Sequence, residues 1–267
     1  MQAKISAYND IIHEVSVCYK GLKLDRLERQ KGRKLALPIP VILALGIFKQ
    51  SYGIETKKSV YNLCQPRCSY KTMVVNLNRF APLAALILSL ILYVNRCFAH
   101  TIKYTDSTHI PVCKGEHAKS HKTMKLLASW GGTSMGTFYG IKLHITTDFN
   151  QRLLKVRFAS GRVDERDVFE KMNADLEGIF VLDAGYIRKT LEKAFYRAGK
   201  RIMIVVPRKN MKKLLTKFQK WLLDGRMNIE LNFRSLKMFF GLVTSLPRSV
   251  EGYLANYIYA LLAYCLA

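Results

Sequence analysis

Near residue 101 the spacing of apolar residues changes, and no other feature of this chain constrains its fold as much. Before that point the apolar positions recur every three or four residues, in "AYNDIIHEVSVCYKGLKLDRLERQ", "PIPVILALGIFKQ", "TKKSVYNLC" and "SYKTMVVNLNRF", the period of helices with one buried face. Ser69 precedes the last of these as a helix N-cap. The run 81–98 then reads as a helix that closes a helical domain over residues 1–100. After residue 101 the period falls to two. "IKYTDST", "FYGIKLHITTD" and "LLKVRFASG" are rich in β-branched and aromatic residues, and "DFNQR" between the last two has hairpin-turn chemistry. An amphipathic helix, "DERDVFEKMNADL", follows and opens on Asp164 and Glu165. Then come strand "IFVLD", helix "IRKTLEKAFYRAG", strand "RIMIVVP" and a basic helical region to about residue 240.

The order β-β-β-α-β-α-β-α over residues 101–267 predicts an α/β fold with a mixed sheet covered by helices. It is the order of a ribonuclease-H-like core, here preceded by an α-helical N-terminal domain. In open α/β sheets, sites form at the carboxyl ends of the strands. The first strand places Asp106 there and "IFVLDAGY" places Asp183, with Glu230 on a later helix in "GRMNIELNFRSLK". The three acids lie 77 and 47 residues apart, room for the intervening elements. Read alone, Asp183 with Gly185 is equally well a strand-ending turn in which glycine takes positive φ.

Composition narrows the partner. The chain has 43 Lys+Arg against 19 Asp+Glu, a net charge of +24, and such a surplus favours a polyanion such as nucleic acid. The apolar runs 81–94 and 253–267 are shorter than the ~18–20 residues a membrane span needs. The N-terminus has no signal-peptide h-region, and the expected location is the cytoplasm. Six cysteines in a chain this long are not a secreted framework, and Cys64 and Cys68 in "CQPRC" have no second pair at zinc-finger spacing. Lys57, Lys58, Lys71 and Arg79 on three short helices fit either a helix-turn-helix-like DNA reader or a plain helical bundle.

The blocks "IKYTDSTHIPVC", "GGTSMGTFYGIKLHI", "SGRVDERD", "LDAGYI" and "RKNMK", in that order, resemble those of DDE transposases encoded by bacterial insertion sequences, in particular the insertion-sequence 982 family. The resemblance runs from about Tyr104 to the C-terminus and is looser over the helical domain. It includes a basic residue, Arg226, four before Glu230, and Lys237 seven after it; on one helix all three would share a face. The chain departs from the family pattern at Leu223, Ala184, Gly132 and Leu231, and the basic segment after the catalytic helix keeps only Arg248 and Ser249.

The resemblance implies an enzyme that cuts DNA at the ends of a mobile element and joins the freed 3′-hydroxyl to target DNA. Asp106, Asp183 and Glu230 would then be catalytic and hold two Mg²⁺ ions, with Mn²⁺ as substitute, since Mg²⁺ takes hard oxygen ligands. Double-stranded DNA is the implied partner and a homodimer the implied assembly on two element ends. DNA contacts are expected from Arg226, Lys237, Lys142, Arg234, Arg208, Lys209, Lys212 and Lys213. The stretch Lys200 to Lys237 carries 11 Lys/Arg and two acids. His144 shares a strand face with Lys142, whereas His109 is expected to face away from Asp106. Trp130 and Trp221 read as packing residues. Two alternatives remain: a decayed or domesticated transposase that only binds DNA, or a ribonuclease-H-like structure-specific nuclease.

Overall fold

Pro38 and Pro40 open the most apolar helix of the chain, and that helix becomes the centre of a helical unit. The computed structural model describes residues 2–27, 34–133, 136–197, 199–208, 210–211, 214–243 and 247–267. Packing divides the chain into Met1–Ser89 with Ser235–Ala267, and Leu90–Arg234. The helices of the first unit are α1 (Gln2–Gly21), α2 (Ile39–Ser51), α3 (Lys57–Cys64), α4 (Tyr70–Arg79), the first half of α5 (Ala81–Cys97), and α10 (Val250–Leu266). Ile42, Leu43, Leu45 and Phe48 of α2 are fully buried, as are Tyr257, Ala260, Leu261 and Leu262 of α10. Helices apolar on all sides have no solvent face to offer, so they take the middle. Gly46 allows the close approach: a Cβ there would lie 2.4 Å from the Tyr259 ring. Gln50 donates to the Asn256 side-chain oxygen (2.7 Å) and the Tyr259 hydroxyl to the Leu77 carbonyl (3.3 Å), so the polar groups in this core are paired.

Thr56 and Ser69 cap α3 and α4 by accepting from the backbone N–H groups of Ser59 and Thr72. Burial pushes the Cys64 thiol up to about 11. Among the described residues no single helix is long and apolar enough to cross a membrane.

The second unit is built on a six-stranded mixed sheet. Its strands are β1 (Ile102–Cys113), β2 (Ser129–Thr133), β3 (Gly136–Asp148), β4 (Leu153–Ser160), β5 (Gly178–Leu182) and β6 (Arg201–Val205). The order across the sheet is β2-β3-β1-β5-β6, with β4 also on β3; β5 is parallel to β1 and to β6, and the remaining pairs are antiparallel. Helices α6 (Glu165–Met172) and α7 (Lys189–Arg197) make the β5 and β6 crossovers, and α8 (Lys217–Asp224) and α9 (Met227–Met238) follow. Phe169 of α6, Phe180 and Leu182 of β5, Tyr186, and Leu191 and Phe195 of α7 form one buried cluster.

Three features differ from the sequence expectation. The four strands β1–β4 precede the first crossover helix where three were expected, because "SWGGT" pairs with the start of β3. β1 does not stop at Thr108 but runs through Pro111. Gly140 lies opposite and makes room, since a Cβ on it would fall 2.2 Å from the Ile110 carbonyl oxygen. The boundary expected at residue 100, with the C-terminal helix in the second domain, falls instead within α5, and α10 packs with the first unit.

Candidate active site

Parallel pairing brings the first two carboxylates together. Tyr104 stands opposite Val181 in the β1–β5 pair, so Asp106 and Asp183, each two residues further on, fall side by side on one face. Neighbouring strands run about 4.8 Å apart, within reach of two short side chains. Asp106 sits within the long strand β1 rather than at its tip, and it is the end of β5 that leaves its carboxylate uncovered. Beyond β5 the chain makes one 3-10 turn, Ala184–Tyr186, in which the Tyr186 N–H donates to the Asp183 carbonyl. Gly185 does not take positive φ, and a Cβ there would meet open space, so the turn does not depend on glycine. The Asp183 side chain makes no capping bond in this turn.

The third carboxylate arrives on the α8–α9 corner. Gly225 ends α8 against β1, where an added Cβ would lie 2.3 Å from the Tyr104 hydroxyl. Arg226 follows in the corner itself, before α9 begins, so it is not on one continuous helix with Glu230 and Lys237 as the spacing suggested. Its guanidinium reaches all three acids: Nη1 is 3.7 Å from Asp106 Oδ2 and 3.7 Å from Asp183 Oδ1, and Nη2 is 2.8 Å from Glu230 Oε1. One cation therefore compensates three anions that would otherwise repel one another.

Burial dominates the titration of Asp106. Its carboxyl is pushed up to about 7, with the neighbouring Glu165 and Asp183 charges adding to the rise. The Ser107 N–H, bonded at 2.8 Å, and Arg226 pull it back down. Glu230 is half-exposed, as is Asp183, and the cluster opens to solvent on their side. Tyr186 lies beneath, fully buried, with its hydroxyl unpartnered in this structure and its pKa raised well above the ordinary value by burial and by the surrounding acids.

A fourth acid, Glu165, enters the same field. It accepts from the Ser107 hydroxyl at 2.8 Å and from the Lys142 ammonium at 3.0 Å. The sequence places it in the first turn of a helix, where an acid is ordinary, and nothing in its spacing signals the strand it meets. Asp164 just before it is the N-cap of α6, with Arg166 and Arg188 holding its carboxyl down near 2. A cavity of about 580 Å³ adjoins this corner, lined by Trp130, Thr137, Lys142, Arg162, Glu165 and Gly185 among others.

The basic residues expected to meet DNA scatter. Lys142 is ion-paired to Glu165 and mostly covered. Arg226 is ion-paired to the three acids. Arg234 and Arg208 are exposed, on α9 and after β6. Lys237 lies half-buried in the last turn of α9, and burial lowers its pKa. Lys209, Lys212 and Lys213 lie outside the described residues. His144 is buried and held neutral, its pKa lowered to about 4. His109 stacks near Phe138, and Trp221 packs against Phe149 and Phe218 with half its surface exposed.

Three carboxylates arranged about one cationic group are a hard-oxygen donor set of the kind Mg²⁺ or Mn²⁺ takes. As placed, no three His, Cys, Asp or Glu side chains among the described residues stand close enough to enclose an ion; the guanidinium occupies the point of convergence. The residues fit a divalent cation by chemistry, with Arg226 holding its place electrostatically.

Fold and site together define an α/β domain in which carboxylates and a shared arginine cluster beside the end of a central strand. A family model described as a transposase DDE domain matches residues 96–249, more than half of the chain. The chain belongs to the DDE transposase family. Its fold is similar to that of piggyBac transposase in a synaptic complex with hairpin DNA, at a TM-score of 0.56 and 8% identity over 96% of this chain and 70% of that one. A pre-cleavage Mos1 transpososome aligns over 90% of this chain and 79% of that one, at 12% identity and a TM-score of 0.27, too low to support a structural argument. No curated protein matches the sequence.

Proposed function

We propose that the chain is the transposase of a bacterial insertion sequence of the 982 family. On this reading it has a ribonuclease-H-like core and cuts DNA at the element's ends before joining the freed 3′-hydroxyls to target DNA. The observation that carries this reading is the convergence of Asp106, Asp183 and Glu230 on the Arg226 guanidinium, in a chain of the DDE transposase family.

Asp106, Asp183 and Glu230 would hold Mg²⁺, or Mn²⁺ in its place, and the bound ion would activate the attacking water or 3′-hydroxyl and stabilise the leaving oxygen. The chain's own residues set the conditions for this. Burial keeps Asp106 protonated up to about pH 7 even with the Arg226 guanidinium beside it, so full ionisation of this carboxylate near neutral pH calls for a further cation. Arg226 lies beside all three acids in the resting site and is also within reach of a phosphate that approaches the half-exposed Asp183 and Glu230. The Lys142–Glu165 pair braces Ser107, whose N–H fixes one oxygen of Asp106. Joining two element ends in one assembly implies a homodimer on DNA, and the net charge of +24 suits that partner.

The test is Mg²⁺- or Mn²⁺-dependent cleavage of labelled DNA bearing the element's ends, wild type against Asp183→Ala. Release of 3′-hydroxyl ends by the wild type and none by the variant is the expected result. End binding without cleavage by the wild type would overturn the catalytic reading.

A further inference from the structure

The helical unit contains a second polar cavity, of about 560 Å³, whose wall holds more positive charge than the unit neutralises. Lys49, Lys57 and Arg248 line it together with Asn78, Ser249, Asn256 and one carboxylate, Glu55. Lys49 is 6% exposed although it carries an ammonium group. Among the described residues its one side-chain bond is to the neutral Gln50 side-chain oxygen (3.3 Å), and that of Lys57 is to the neutral Asn78 side-chain oxygen (2.9 Å). An ammonium has three donors, so each keeps capacity for an acceptor. Among the described residues neither has an ion-pair partner.

A buried and a half-buried ammonium, neither ion-paired among the described residues, are costly, and the cost shows in both. Burial and the Lys57 charge lower Lys49 to about 8, and burial lowers Lys57. A helical bundle that needed only stability would place Met or Leu at such positions. Of the other lining groups the exposed Glu55 opposes an oxyanion, whereas Arg248, Ser249 and Tyr70 suit one. Arg248 is exposed at the mouth with a planar fork of donors. Ser249 caps the 17-residue α10, whose N-terminus adds partial positive charge on the same side. Tyr70 supplies an aromatic wall.

We propose that this cavity is a phosphate-binding site, separate from the carboxylate cluster, in which Lys49, Lys57 and Arg248 hold the oxyanion of a nucleotide unit. Its volume exceeds that of a bare phosphate and leaves room for the attached sugar. The same chemistry serves a free phosphate or one phosphate of a DNA backbone, and neither depends on the catalytic reading of the other unit.

Thermal unfolding of the full chain in inorganic phosphate, against chloride at equal ionic strength, tests the site. At phosphate tenfold above its Kd the expected rise in Tm is about 3–5 °C for a chain of this size. Lys49→Met keeps the volume and removes a buried charge, so this variant should fold with a Tm at or above that of the wild type, yet lose the phosphate shift; Lys57→Met should lose it as well. A duplex of about 20 base pairs identifies the source: if Lys49→Met weakens duplex binding and lowers its salt slope by about one, the ligand is a backbone phosphate. If the variant loses the phosphate shift but binds duplex as before, the ligand is a free phosphate or nucleotide. No phosphate shift in the wild type, or a shift that survives both substitutions, overturns the proposal.

Discussion

Replacing Asp106 by Asn should make the metal-free protein more stable at alkaline pH while abolishing cleavage, and the size of the gain follows from the site. The Asp106 carboxyl goes from 3.8 to about 7 on folding, chiefly through burial. Between these values the folded state holds a proton that the unfolded state has released, so stability falls as pH rises from about 4 to 7 and is level above. At ~1.4 kcal/mol per pH unit the accumulated loss is roughly 4 kcal/mol by pH 8. Asn has the same shape and no charge, so it escapes that loss, although it gives up part of the attraction to Arg226. The variant should match the wild type near pH 4 and exceed it increasingly to pH 7. At 2–4 °C per kcal/mol the difference approaches about 10 °C at pH 8. Thermal unfolding in EDTA across this range measures it directly. Added Mg²⁺ should narrow the gap by stabilising the wild type alone. A difference that is flat in pH, or a variant less stable than the wild type at pH 8, would refute the assignment of burial as the dominant cause.

Two further substitutions probe the same corner. Arg226→Gln removes the one cation shared by the three carboxylates; in EDTA at pH 8 it should cost roughly 1–3 kcal/mol, and Mg²⁺ should restore more of the loss than it adds to the wild type. A loss that Mg²⁺ leaves untouched would mean that Arg226 does not stand where a cation binds. Gly225→Ala forces a methyl against the Tyr104 hydroxyl, so the corner must retreat from β1. The expected cost is about 1–3 kcal/mol, with cleavage falling more than stability because Arg226 and Glu230 retreat together. The second change Tyr104→Phe should relieve part of both effects.

What the sequence made legible were the groups whose placement depends on local rules. A lone acid at the end of an apolar strand, as at Asp183, needs only the strand and its end, and the parallel partner two residues in register carries Asp106 beside it. Caps at Ser69 and Asp164 are equally local. The misses share a different cause, since each depends on what lies opposite in space. Pro111 reads as a strand breaker until Gly140 is found across from it, with no Cβ to collide with the strand's backbone. "SWGGT" is poor in strand formers and gains its place only by pairing with β3. Glu165 satisfies every local rule for a helix start, and only the return of α6 over β3 sets it against Lys142 and Ser107. Helix α10 follows the sheet in sequence, yet a helix apolar on every side packs wherever a matching core exists, and α2 with its Gly46 provides one some two hundred residues earlier in the chain. Lys49 is the sharpest instance. In sequence it is the basic last turn of a helix, favourable to the helix dipole and otherwise unremarked; in space it is a buried charge with no ion-pair partner among the described residues. Local rules find the residues that make structure cheaply, whereas residues that make it costly become visible only against their neighbours, and there the search for function is best directed.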